Sequence, residues 1–347
     1  MISLNFVGDV SLFKEYERRN IDPLNEIWLP NSDYNIANFE FSIPNNRTKH
    51  FFDVSNEYAV SYNYFNKLKI ARFNAYGLSN NHCLDYSIEG VSDVLEVFNL
   101  HSVASFGFGQ KNFNTLKLDV KGISIGIISF VKNGRWNRNE SQIEGPDSYN
   151  LNKIINEIKL IKKEKDHVII FPHWGTELID VPSLVDIDNA RRFIDAGASA
   201  VIGHHPHIIQ GIEKYNNGII AYSLGSFVYI PEKEVGYRKS QGDSRNYSIC
   251  LNLEFDKKQI KTITPHFYKY NPLKLIPEKI DDLKVRTYFE EINQRIGNTN
   301  YYNSQIKRQL IKREIFSFFQ RLKKSPFKTV VHYFRYIKLE HIKKVFR

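Results

Sequence analysis

Seven short apolar runs punctuate the first two-thirds of the chain: residues 2–7, 34–41, 74–79, 122–130, 167–171, 199–203 and 218–224. Their length and apolar continuity predict buried strands. Between them, 86–99, 150–164 and 186–196 carry apolar residues three and four apart and predict helices. Asp85 and Asp186 stand where an N-cap is useful, and Gly197 follows the last helix as a stop. Strand and helix in alternation predict an α/β fold. Residues 246–270 predict two antiparallel strands around a charged turn, and from about 279 onward the pattern is helical and basic.

Five of the runs end on groups that can bind a metal. Asp9 follows the first, Glu40 ends the second, and Asn80, Asn81 and His82 follow the third. His173 follows HVIIFP, and His204, His205 and His207 follow SAVIG. In open α/β sheets ligands bind beyond the carboxyl ends of strands, where several loops converge. Any one of these residues is most simply a cap or turn residue. All five positions together are not, because turns select Gly, Asn and Asp rather than clustered histidines. Hard oxygen ligands with imidazoles suit a pair of divalent cations, which polarise a phosphoryl oxygen and lower the pKa of water. Asp9, Glu40, Asn81, His173, His205 and His207 supply such a set, and His82 is the candidate to protonate a leaving group.

Composition narrows the class. The 347 residues are 42% hydrophobic and 25% charged, as in soluble globular proteins. Two isolated cysteines, Cys83 and Cys250, exclude a disulfide framework and a Cys-rich zinc cluster. No basic segment leads into an apolar stretch and no run of 18 apolar residues occurs, so a cytoplasmic location is expected. The net charge of +10 is concentrated: residues 302–347 hold 13 Lys+Arg against 2 Asp+Glu, while 1–301 hold 35 against 36. A neutral body with a basic tail argues against a nucleic-acid binder.

The stretches GDVSL (8–12), NFE (38–40), LSNNHCLDYSIEGV (78–91), FPHWGTEL (171–178) and VIGHHPHIIQGIEKYNNGIIAYSLGSFVY (201–229) resemble, in order, the motifs of the CapA family of poly-γ-glutamate and capsule synthesis proteins. That family is similar to calcineurin-like metallophosphoesterases. The resemblance runs from about residue 2 to about 255. It implies a four-layer αββα sandwich of metallophosphoesterase type; beyond it, the change to a helical, basic pattern divides the chain into a domain 1–275 and a basic helical extension 276–347. It also implies two divalent ions (Mn, Fe or Zn): Asp9 and His207 on the first, Glu40 bridging, and Asn81, His173 and His205 on the second. His82 takes the leaving-group role. Asn80, Asp85, Glu177, His204 and Ser226 are expected to orient these groups or touch substrate, and the choice between His204 and His205 as ligand stays open. Two positions depart from the pattern. Ser11 stands where metallophosphoesterases carry a histidine, leaving the first metal one imidazole short, and Ser226 stands where the family commonly has Asn.

The resulting expectation is a metal-dependent, phosphoesterase-like hydrolase acting on a polymer or phosphoester substrate in capsule or surface-polymer biosynthesis. The alternatives are a non-catalytic accessory subunit of a membrane-bound synthase, and metal-assisted amide hydrolysis or transfer on a glutamyl polymer. In the tail, Ile306, Leu310, Phe318 and Leu322 lie near helical spacing, and after Pro326 so do Val330, Val331, Phe334, Ile337 and Ile342. Such basic amphipathic stretches pack on the body or a synthase partner, or lie on the inner face of a membrane. Nucleic acid is the weakest option.

Overall fold

The computed structural model describes residues 1–41, 43, 60–109, 113–132, 145–229 and 246–324. The chain opens with β1 (Ile2–Val10), β2 (Tyr34–Phe39), β3 (Ala75–Gly77) and β4 (Ala104–Phe106), each parallel to the next. The two-residue strands β5 (Phe108–Gly109) and β8 (Gly145–Pro146) pair with each other. A second sheet is built from β6 (Leu116–Val120), β7 (Ile123–Val131), β9 (His167–His173), β10 (Ala200–Ile202), β11 (Ile212–Tyr215) and β12 (Gly218–Ala221), in the order β11-β12-β10-β9-β7-β6. The chain then returns to the first sheet as β13 (Ser226–Val228), β14 (Tyr247–Phe255), β15 (Ile260–Asn271) and β16 (Ile276–Lys279). β14 runs antiparallel to the first half of β1, and β13 runs parallel to its end, with Asp9 opposite Ser226.

Three apolar clusters make the layers. Between the sheets, Leu4, Phe6 and Ile36 face Ile127, Ile169 and Phe171, all fully buried. The Phe6 and Phe171 rings meet there at 6.2 Å. Outside the first sheet pack α1 (Lys14–Arg18), α2 (Tyr62–Phe65) and α3 (Ser87–Leu100), through residues such as Tyr16, Phe65 and Val94. Outside the second pack α4 (Leu151–Lys162) and α5 (Leu184–Asp195), through Ile158, Ile187 and Phe193. Each fully buried aliphatic or aromatic side chain contributes roughly 1.5–3 kcal/mol. The result is the expected four-layer αββα sandwich.

The expected caps differ in detail. Ser183, not Asp186, caps α5: its hydroxyl accepts from the Asp186 N–H, and Asp186 sits one turn in, accepting from that hydroxyl. The serine hydroxyl thus satisfies one orphan N–H of the first turn and is itself held in place by the Asp186 carboxylate. Tyr86 precedes α3 without a side-chain cap, because Asp85 is engaged with His82. Gly197 does end α5, in a left-handed conformation at φ +116°.

Residues 276–279, at the start of the helical extension, pair with β15 as β16. The next helix, α6 (Leu283–Gln294), buries Val285, Phe289 and Ile292 in the inter-sheet core, and α7 (Thr299–Lys324) follows. Among the described residues no helix is long and apolar enough to cross a membrane. The apolar positions expected beyond Pro326 lie outside the described residues, as do the side chains of Phe318 and Leu322.

Candidate metal centre

The second half of β1 carries the first ligand. Asp9 is fully buried, and its Oδ1 accepts from Asn38 Nδ2 at 2.8 Å. Its Oδ2 lies 3.2 Å from His207 Nδ1 and accepts from the His205 N–H at 3.3 Å. Gly8 allows this strand to come so close to the 223–226 turn: a Cβ there would sit 1.9 Å from the Gly225 carbonyl oxygen. Glu40 stands one residue past β2, buried, with Oε1 3.5 Å from His173 Nε2 and 3.6 Å from His207 Nε2. Ser11 Oγ donates to Glu40 Oε2 at 3.4 Å. The serine thus offers a hydroxyl beside Glu40, and no ring nitrogen.

His173 closes β9, and its Nε2 is 2.6 Å from Asn81 Oδ1. His204 prolongs β10 beside β9: its N–H donates to the Pro172 carbonyl, and its own carbonyl accepts from Trp174. His205 and His207 then turn at φ +99° and +58°, a left-handed backbone that costs non-glycine residues of order 1–3 kcal/mol and clusters at functional sites. That turn brings the His205 N–H onto Asp9 and both rings toward the carboxylates.

Three sets of ligand atoms lie within 4.8 Å of one another: Asp9–Glu40–His207, Glu40–His173–His205 and Asp9–His173–His204. Glu40 belongs to the first two, Asp9 to the first and third, and His173 to the second and third, so the groups adjoin one another. The donor set suits a cation. Both ring nitrogens of His204 and Nδ1 of His205 are buried without a hydrogen-bond partner among the described residues. Buried polar atoms left unpaired are costly, and a metal would satisfy them. Burial lowers His204 and His205 to about 4, and burial with the neighbouring imidazoles of His205, His204, His207 and His82 holds His173 well below its usual value. All three are therefore neutral near pH 7, the form that ligates metal. Burial pushes the Asp9 carboxyl up, but His207, His204 and the Asn38 amide outweigh it and hold Asp9 ionised below the ordinary carboxylate range.

The remaining predicted residues surround this cluster. His82 Nδ1 meets Asp85 Oδ2 at 2.6 Å, with His82 17% exposed at the rim and Asp85 buried. Asn80 braces the residues behind the ligands: it donates to the Phe39 carbonyl and, at 3.3 Å, to Asn38 Oδ1, and it accepts from the His82 N–H. Ser226 Oγ lies 2.9 Å from His207 Nδ1, fixing that ring. Glu177 is half-buried, and its charge draws His205 toward its charged form. Two residues were missed. Asn38 lies between Asp9 and His173, with Nδ2 3.4 Å from His173 Nδ1, and its signal was its place in NFE (38–40). Tyr229 stacks on His207 at 5.0 Å, and its signal was its place at the end of the 201–229 stretch.

Residues 3–230 match the family model of the bacterial capsule synthesis protein PGA_cap. The chain belongs to this family. Among its relatives is the capsule biosynthesis protein CapA of Bacillus anthracis, 29% identical over 252 residues, covering 66% of this chain and 60% of that protein. The PGA biosynthesis protein CapA of Bacillus subtilis is 28% identical over 311 residues, covering 85% of this chain and 78% of the relative. A phosphatase of Mycoplasma pneumoniae of known structure is 15% identical with a TM-score of 0.44, covering 82% of this chain and 96% of that one. The matched region thus contains every candidate ligand, from Asp9 to His207.

Proposed function

We propose that this PGA_cap protein is a dinuclear-metal hydrolase that cleaves a phosphoester or related linkage during capsule or surface-polymer biosynthesis. The observation that carries the reading is Glu40 shared between the Asp9–Glu40–His207 and Glu40–His173–His205 groups. Divalent cations held there polarise a phosphoryl oxygen and lower the pKa of water when bound. The chain's own residues do the rest. Asp9 and Glu40 bring negative charge to the site, and the neutral imidazoles set its geometry. His82 holds a proton at the rim. With Nδ1 engaged by Asp85, its Nε2 is the nitrogen that delivers that proton to a departing oxygen. The role in polymer biosynthesis rests on the names of the Bacillus relatives.

Ser11 supports a second reading. With a hydroxyl in place of an imidazole beside Glu40, the Asp9 group binds its ion weakly and the chain serves as an accessory subunit of a synthase. Amide hydrolysis or transfer on a glutamyl polymer would use the same polarising chemistry. One experiment separates the three. Protein reloaded with Mn, Fe or Zn is assayed on a phosphodiester model substrate and on a glutamyl polymer, beside His82→Ala. Metal-dependent phosphodiester turnover, lowered on the order of 10²–10⁴-fold in the variant, is expected. Turnover of the polymer alone would favour the amide reading, and no turnover with both ions bound would leave the accessory role.

A further inference from the structure

The structure gives α7 two unlike sides. On one, Tyr302 and Gln309, seven residues apart, meet the body. Tyr302 Oη lies 3.5 Å from Thr176 Oγ1, and the buried Gln309 donates to the Leu178 carbonyl at 2.9 Å. Tyr301 adds a hydrogen bond to Asp180 at 2.9 Å. Leu178, at φ +60°, in turn donates its N–H to the carbonyl of Pro206, the residue between His205 and His207. The helix is therefore fastened to the segment that carries the metal-ligating histidines.

The other side carries Lys307, Ile311 and Ile315 at four-residue steps, with Arg308 beside them, and helical spacing puts these four on one face. All four are exposed, Ile315 at 52% and the neighbouring Leu310 at 54%. Large aliphatics left in water between cations are a cost unless something covers them. Charge says what does. Residues 302–324 hold seven Lys+Arg against one Glu, while residues 1–301 are close to neutral. We infer that this face of α7 docks on an anionic lipid surface, with the aliphatics entering the headgroup boundary and Lys307 and Arg308 meeting the lipid charge. A nucleic acid would answer the cations but not the row of aliphatics. Because the opposite side of α7 grips the 176–180 segment, docking also fixes the metal centre relative to the bilayer.

The test is sedimentation of the full chain with vesicles of phosphatidylcholine alone or mixed with phosphatidylglycerol. Binding is expected to the mixed vesicles and not to the neutral ones, and to weaken in high salt. Replacing Lys307 and Arg308 together by Glu lowers partitioning by at least about tenfold. Ile315→Glu lowers it several-fold and Ile315→Trp raises it, all with unchanged far-UV spectra because the positions are exposed. Equal binding to both vesicles, binding to neither, or indifference to these substitutions overturns the inference. So does binding of the chain to a nucleic acid, or its dimerisation, if that is lost in Ile315→Glu while vesicles are ignored.

Discussion

At the scale of single residues, the centre is assembled from groups that are poor choices for any other purpose. A buried imidazole with two unpaired nitrogens destabilises a fold, yet His204 is completely buried beside Phe171 and His173. His205 and His207 accept left-handed backbone where glycine would be cheaper. Both histidines between which the sequence left the choice open lie in groups that could hold a cation: His205 with Glu40 and His173, and His204 with Asp9 and His173. His82 depends on Asp85 for its orientation. Asp85→Asn should therefore lower turnover on the order of tenfold to a hundredfold while leaving metal content unchanged, since Asp85 touches no ligand. Kinetics beside elemental analysis checks this, and loss of metal in that variant would show that Asp85 acts on the cluster itself.

At the scale of elements, the strands were legible because each is a short, mostly apolar run, and their polar ends were legible because histidines are rare in turns. The short pieces were not. β13 is three residues long, and nothing in SFV announces that it runs beside the end of β1. That pairing is what sets Ser226 against Asp9 and within reach of His207. α1 and α2, of five and four residues, are too short for a periodic signal. The caps misled for a related reason: Asp186 is acidic in the first turn of α5, but the serine three residues earlier has the extended backbone a cap requires. Gly8 gives the sharpest prediction here. A Cβ would collide with the Gly225 carbonyl, a backbone atom held by the β1–β13 pairing and unable to step aside. Gly8→Ala should cost several kcal/mol, about 3 or more, and weaken metal binding with it. Thermal melts of the metal-free variant measure the first effect, and an unchanged midpoint would show that the strands part easily.

For the whole molecule, the buried histidines couple stability to pH. The unfolded chain protonates imidazole near 6.5, whereas His204 and His205 in the fold do so only at about 4, and burial lowers His167 as well. Between those values the unfolded state binds more protons than the native one. Their contribution is therefore complete above about pH 6.5 and lost progressively as pH falls toward 4. Metal-free protein should show a denaturation midpoint that declines steadily over this window, and a flat profile would mean that the imidazoles are already charged in the fold. The layers and the cluster together follow from the alternation of strand and helix, which sends several loops to one end of the sandwich. How α7 attaches was hidden, because its contacts rest on single polar residues such as Tyr302 and Gln309 that no apolar periodicity marks.

Metal stoichiometry tests the proposed dinuclear centre at Glu40 most directly. Protein stripped of metal and reloaded with Mn, Fe or Zn would be analysed beside Asp9→Ala and His205→Ala. About two tightly held equivalents per chain in the parent, with loss in each variant, is the predicted result. One equivalent would mean that Ser11 leaves the Asp9 position too weak to fill, and none would contradict the metal centre altogether.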